Sequence, residues 1–216
     1  MHYICADIHG ENDKYEAMLK GINFTDQDTL YILGDVIDRK PMGVTILQDI
    51  MQRENVKMLL GNHEQMCLAT LGPYSQFGAR DLWRANGGSS TYREMVYHLS
   101  SAERIRILKF LAALPDHLDI EVAGQKYHLV HGFPGGNTED RIWTRPEPDA
   151  PSPIPDKTTI IGHTPVCFLD PENKNREHFQ IFYGDGFLDL DCGCGNETPK
   201  RRLACLCLET MQEFYF

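Results

Sequence analysis

Five times in this chain an apolar run stops abruptly at Asp, Asn or His beside a glycine: ADIHG (6–10), LGDVIDR (33–39), LGNHE (60–64), LVHG (129–132) and IIGHT (160–164). Short apolar runs bounded by glycine read as buried strands. Between the first three runs the spacing turns helical. Residues 11–21 put Tyr15, Met18 and Leu19 on one face. Residues 41–53 begin at Pro41, a good first-turn residue, and space Val44, Leu47, Ile50 and Met51 as a helix does. Strand, helix, strand, helix, strand implies parallel strands joined by helical crossovers.

Further along, 64–71 and 100–114 read as helices, the second opened by a Ser100/Glu103 capping box and stopped by Pro115. Residues 72–93, rich in glycine and polar side chains, read as a connection. Strand signals dominate the rest: a hairpin from 117–122 and 125–132 turning at Gly124, then HFQIFYG (178–184), FLDLD (187–191), RLACLCLE (202–209) and EFYF (213–216). The five prolines of 146–156 mark a loop directly after Arg145. It serves as a lip over the site or as a surface excursion.

Composition narrows the function classes. With 216 residues, 42% hydrophobic and 24% charged, the chain suits one well-buried domain, 1–216. Its net charge of −10 argues against nucleic acid as a partner. No apolar run approaches membrane-spanning length, and MHYICADIHG lacks the basic start of a signal peptide, so a cytoplasmic location is expected. Seven cysteines, an odd number, fit reduced thiols. The pairs Cys192/Cys194 and Cys205/Cys207 lie in apolar surroundings and read as small core residues rather than a zinc site.

In an open α/β sheet, ligands bind beyond the carboxyl ends of the strands. The five strand ends deliver Asp7, His9, Asp35, Asn62, His131 and His163 to one edge. Any one of them alone reads as a cap or a satisfied polar group. Six in succession, mixing carboxylate, imidazole and amide oxygen without thiolate, suit two divalent transition-metal ions: manganese first, iron or zinc as alternatives. Two such ions outweigh two carboxylates, which favours an anionic phosphate ligand.

The ordered motifs D-x-H-G, G-D-x-x-D-R, G-N-H-E, H-G and G-H-T resemble the metallophosphoesterase superfamily, and within it the small bacterial and phage branch of the serine/threonine phosphoprotein phosphatases. The stretch WRANGGSSTY (83–92) and the closing LDLDCGCG strands extend the resemblance over nearly the whole chain. It implies an α/β fold: a two-sheet β sandwich flanked by helices, with a binuclear site at the strand ends. It implies that Asp7 and His9 hold the first metal, that Asp35 bridges both, and that Asn62, His131 and His163 hold the second. It makes His63 the general acid, oriented by Asp38, and gives Arg39 and Arg145 to the phosphoryl oxygens.

Three positions depart from the family pattern. Ala6 replaces a glycine, Lys40 follows Arg39 where glycine is usual, and Leu60 stands where the eukaryotic phosphatases carry a phosphate-binding arginine. His128 is three residues before His131 in one strand, so it faces the other way. Asp191 reads as a turn residue, and Tyr183 and Phe187 as packing residues. The expected activity is hydrolysis of phosphomonoesters by direct attack of a metal-bridging hydroxide, on phosphoserine or phosphothreonine in proteins or on a small phosphoester. Hydrolysis of dinucleoside polyphosphates is the enzymatic alternative, for which GNHE rather than GNHD is the less usual form. A non-catalytic metal-binding module is the third reading, although it has no reason to keep both His63 and Asp38.

Overall fold

The computed structural model describes residues 1–216. Its elements follow the order β1 (His2–Cys5), α1 (Asn12–Gly21), β2 (Thr29–Ile32), α2 (Gly43–Ile50), β3 (Val56–Met58), α3 (Asn62–Leu71), α4 (Ala79–Ala85), α5 (Ser89–Arg93), α6 (Ser101–Ala112), β4 (His117–Val122), β5 (Gln125–Val130), α7 (Thr138–Trp143), β6 (Thr158–Ile161), α8 (Pro171–Asn175), β7 (Phe182–Tyr183), β8 (Phe187–Asp189), β9 (Ala204–Cys207) and β10 (Gln212–Tyr215). The strands form two five-stranded sheets, ordered β10-β9-β1-β2-β3 and β4-β5-β6-β8-β7. No helix is long and apolar enough to cross a membrane.

Alternation along the strands explains the layers. Tyr3 and Cys5 of β1, Leu30 and Ile32 of β2, and Cys205 and Cys207 of β9 face the helices, where they join Met18, Leu47, Ile50 and Trp83. The intervening Ile4, Ala6, Leu33, Ala204 and Leu206 face the second sheet and meet Leu129, Ile160, Leu188 and Leu190. Each large apolar side chain buried this way contributes about 1.5–3 kcal/mol. The cysteines are free and divided between these two cores, as the core reading requires.

Strands β1, β2 and β3 run parallel, as do β5, β6 and β8. Their carboxyl ends therefore open on one edge. The β4–β5 hairpin turns through Ala123 and Gly124, both at positive φ (50° and 81°), which suits the twist of its strands.

Some expectations need correction. Residues 72–93 are not a bare connection: they hold α4 and α5, continued by a wide helical turn over Glu94–His98. Segment 178–184 pairs only at Phe182–Tyr183, because Gln180 N donates to Asn173 Oδ1 instead of a strand and Phe179 and Ile181 plug the core. Asn62 and His63 do not end a strand but open α3. They point apart because successive helical residues are rotated by roughly 100°. Phe187 is core, whereas Tyr183 lies half-exposed on an edge strand with its hydroxyl on Glu213.

Candidate metal and catalytic site

The edge where the parallel strands end is built from unusual backbone. Asp7, His9, Asp35, Asp38, Arg39 and His163 all adopt positive φ, between 48° and 74°. These are six of the ten non-glycine residues in that region, although left-handed backbone is costly for side chains with a Cβ. Strain gathered at one place is held there by the surrounding structure. Gly61 is part of the reason. A Cβ on it would overlap Asp35 Oδ1 and come within 2.7 Å of Glu64 Oε2.

Asp35 sits at the centre. His9 Nε2 lies 3.6 Å and His63 Nε2 3.7 Å from its Oδ2, and His131 Nε2 lies 3.3 Å from its Oδ1. Asp7 accepts the backbone N–H of His163 at 3.0 Å and lies 3.9 Å from His9. The groups form two buried clusters that meet at Asp35: His9, Asp35 and His63 in one, Asp35, His131 and His163 in the other. Both clusters consist of His and Asp alone, and neither C-x-C pair enters them.

Each imidazole is aimed by its second nitrogen. His9 Nδ1 donates to Ile37 O at 3.0 Å, His131 Nδ1 donates to Leu33 O at 2.6 Å, and His163 Nε2 lies 3.2 Å from Trp143 O. This leaves His9 Nε2, His131 Nε2 and His163 Nδ1 as lone pairs turned inward, the arrangement of metal-ligating histidines. His9 Nε2 is buried with no hydrogen-bond partner. Burial, then His131, pushes His163 down to about 3, and burial, then His63, holds His9 well below its usual range. Both are neutral imidazoles at neutral pH, as ligation requires.

The donor set fits divalent cations on two further grounds. The amide oxygen of Asn62 faces only acceptors: Asp35 oxygens at 3.1 and 3.2 Å, His131 Nε2 at 3.0 Å and His163 Nδ1 at 3.3 Å. Such a cage of lone pairs is stable with a cation inside it or with the amide rotated. In addition, burial and then Asp191 raise the Asp7 carboxyl well above the ordinary carboxylate range. An uncompensated carboxylate here calls for positive charge. For Asp35, burial is outweighed by His131, His63 and His9, which hold it ionised well below the usual value.

His63 and Asp38 lie beside this centre. His63 Nδ1 is 2.7 Å from Asp38 Oδ2, with both side chains buried. Burial opposes charge on His63, but Asp35 and then Asp38 raise its pKa above the usual histidine value. Arg39 and Arg145 are exposed over the edge. Arg39 donates to Asn196 Oδ1 at 3.1 Å, and Arg145 Nε lies 3.4 Å from His163 Nε2. Leu60 is nearly buried, with its N–H on Pro115 O, so it offers the edge no third guanidinium. Lys40 reaches Glu197 at 3.5 Å. His128 turns away to Asp119 at 2.8 Å, and Asp191 accepts Gly193 N–H in a turn.

Three contributors went unseen in the sequence. Glu64 accepts the backbone N–H groups of Asp35, Val36, Ile37 and Gly61, so it clamps the loop after β2 onto the start of α3. Its place three residues after Gly61, in capping-box position, was the available signal. Trp83 Nε1 donates to Asp38 Oδ2 at 2.6 Å, and Thr91 Oγ1 accepts Asp38 N–H at 3.0 Å. Nothing in the spacing pairs Trp83 with a residue in a distant loop.

The chain resembles known proteins at two ranges. Symmetrical bis(5'-nucleosyl)-tetraphosphatases of Enterobacter sp. and Cronobacter sakazakii are each 35% identical over 81 residues, which is 37% of this chain but only 29% of theirs. Solved structures share the fold at low identity. A metallophosphoesterase from Sphaerobacter thermophilus has a TM-score of 0.62 at 18% identity, over 99% of this chain and 86% of that one. A putative diadenosine tetraphosphatase has a TM-score of 0.62 at 16%, over 100% and 92%. A serine/threonine phosphatase from Saccharomyces cerevisiae has 0.62 at 12%, over 94% and 71%. The family model described as calcineurin-like phosphoesterase matches residues 3–191, which carry the strand-end residues of the edge and strands β1 to β8 but not β9 and β10 of the first sheet. This chain belongs to the calcineurin-like phosphoesterase family.

Proposed function

We propose that this protein is a metal-dependent hydrolase of phosphate monoesters of alcohols, with phosphoserine and phosphothreonine in proteins as its substrates. One observation carries the reading: the buried His63–Asp38 pair beside Asp35. An alkoxide leaves poorly and needs a proton as its bond to phosphorus breaks, whereas the phosphate leaving an anhydride does not. A buried, carboxylate-oriented imidazole with a raised pKa supplies that proton.

In this reading Asp7, His9 and Asp35 hold one divalent ion, and Asp35, Asn62, His131 and His163 hold the other. When bound, the ions supply an activated water and neutralise phosphoryl charge. Arg39 and Arg145 fork onto the phosphoryl oxygens and set the ester in line. His63 gives its Nε2 proton to the departing oxygen, while Asp38 keeps Nδ1 protonated and the ring fixed. Manganese suits the mixed imidazole and carboxylate set.

A second reading, hydrolysis of dinucleoside tetraphosphates, is favoured by the 35% identical relatives. The test offers phosphoserine and phosphothreonine peptides and diadenosine tetraphosphate in parallel to Mn-loaded protein, with EDTA and His63→Asn controls. Peptide turnover that falls with EDTA and in the variant supports the monoester reading. Preference for the dinucleotide replaces it with the second, and silence on both with metal bound removes both.

A further inference from the structure

Behind the His63–Asp38 pair, α4 and the segment after it line a half-open cavity of about 170 Å³. Its walls include Arg80, Trp83, Arg84, Tyr92, Arg93 and Tyr97. Three arginines thus line one small space in a chain of net charge −10. Only Arg84 is in an ion pair, with Asp81 at 3.4 Å, and both partners are exposed, so the pair is worth little. The aromatic side is equally organised. Tyr92 meets Trp83 and Tyr97 edge-on at 6.1 and 6.4 Å, and the Arg80 guanidinium lies 4.4 Å over the Tyr92 ring.

Arginines clustered with a single exposed carboxylate among them repel one another and attract an anion. Arginine favours phosphoryl oxygens because its planar fork matches them. Exposed tyrosine rings next to arginine are the platform on which nucleobases stack. The cavity is smaller than pockets that enclose a whole ligand, which run from about 300 to 1,000 Å³. It therefore has room for one phosphoryl group or one ring, with the rest of the ligand on the 70% exposed Tyr97.

We propose that this cavity binds a nucleoside phosphate, its phosphoryl group among Arg80, Arg84 and Arg93 and its base on Tyr97. The site is separate from the hydrolytic edge, and the proposal does not rest on what that edge cleaves. The two share a wall: Trp83 lines the cavity and donates to Asp38. The occupant is a free nucleotide or the far end of a dinucleoside polyphosphate.

The indole provides the readout. The chain has two tryptophans, so Trp143→Phe leaves Trp83 as the reporter. Mn-loaded Trp143→Phe protein is titrated with adenosine 5'-phosphorothioate, adenosine and inorganic phosphate. The phosphorothioate is expected to give saturable quenching at lower concentration than adenosine or phosphate alone. Arg80→Ala/Arg84→Ala is expected to weaken it at least about tenfold, and Tyr97→Ala at least about threefold. All three residues are exposed, so the variants should fold and hydrolyse 4-nitrophenyl phosphate as the parent does. A raised KM for diadenosine tetraphosphate in the variants assigns the site to a substrate's far end, and an unchanged KM with lost phosphorothioate binding assigns it to a free nucleotide. Absence of saturable quenching, or quenching untouched by either variant, overturns the proposal.

Discussion

Trp83 and His63 meet on one oxygen of Asp38. The indole N–H donates to Oδ2 at 2.6 Å, and His63 Nδ1 lies 2.7 Å from the same atom. The other oxygen, Oδ1, is buried without a partner. Two donors on one oxygen stop the carboxylate rotating, and so fix the plane of the imidazole. Trp83→Phe keeps an aromatic ring and removes one donor. It should cost about 1–3 kcal/mol of stability, read by urea unfolding. It should also lower kcat for an alkyl phosphate more than for 4-nitrophenyl phosphate, whose leaving group needs less protonation. Equal loss on both esters would show that Trp83 acts only through packing.

The same logic separates the two readings of the activity. His63→Asn is expected to lower turnover of an alkyl phosphate by about 10²–10⁴, the usual share of a general acid. For a phosphoanhydride the loss should be much smaller. Asp38→Asn should follow His63→Asn in rank across leaving groups, because it acts through the same ring. If the variants lose the same factor on every substrate, proton delivery is not the role of His63.

Glu64 is the third point of pressure. One carboxylate receives four backbone N–H groups from the loop after β2 and the start of α3. Glutamine in its place offers one acceptor oxygen and turns an NH₂ toward backbone donors. Glu64→Gln should lower stability by about 2–3 kcal/mol in denaturant unfolding. Because it holds the backbone of Asp35, it should also weaken manganese affinity by about tenfold or more, read by metal titration. Stability lost without any change in affinity would confine Glu64 to capping α3.

How much of this could be read from residues alone follows from the length scale of each signal. The Asp7, Asp35, Asn62, His131 and His163 motifs that follow the apolar strands are local patterns, and parallel topology brings such ends to one edge whatever the loops do. The hairpin at Gly124 is equally local. Helix α4 was hidden because glycine and polar residues surround seven residues that are too few to show a period, and its helix rests on the burial of Trp83. Helices α7 and α8 are shorter still and are held by the Asn137 and Asp170 caps. The Trp83–Asp38 bond joins residues 45 apart and has no signature in spacing. Segment 178–184 misled because its aromatic residues are the ones a strand would use, yet their burial is met by a core plug.

Removing the metals should leave a characteristic pH dependence of stability. Burial, then Asp191, raises the carboxyls of Asp7 and Asp189 well above their ordinary values, and burial, then Asp35, pushes Glu64 up to about 7. His63 and His131 also hold their protons more tightly than free imidazole, since Asp35 outweighs the effect of burial. All five bind protons more strongly folded than unfolded, so their stabilisation is present at low pH and is lost as pH rises through the folded values. His163 and His9 are lowered and act oppositely, but their contribution is already complete above the ordinary histidine value of about 6.5. Asp35 is lowered too, and its contribution is complete above the ordinary carboxylate value of about 3.9. From about 6.5 upward, therefore, only the losing groups titrate. The EDTA-treated protein should show a Tm that falls as pH rises above that value. The Mn-loaded protein should show little slope there, because cations already balance the carboxylates. Thermal unfolding of both forms across that window checks this, and parallel slopes would mean that the buried charges are balanced by something other than metal ions.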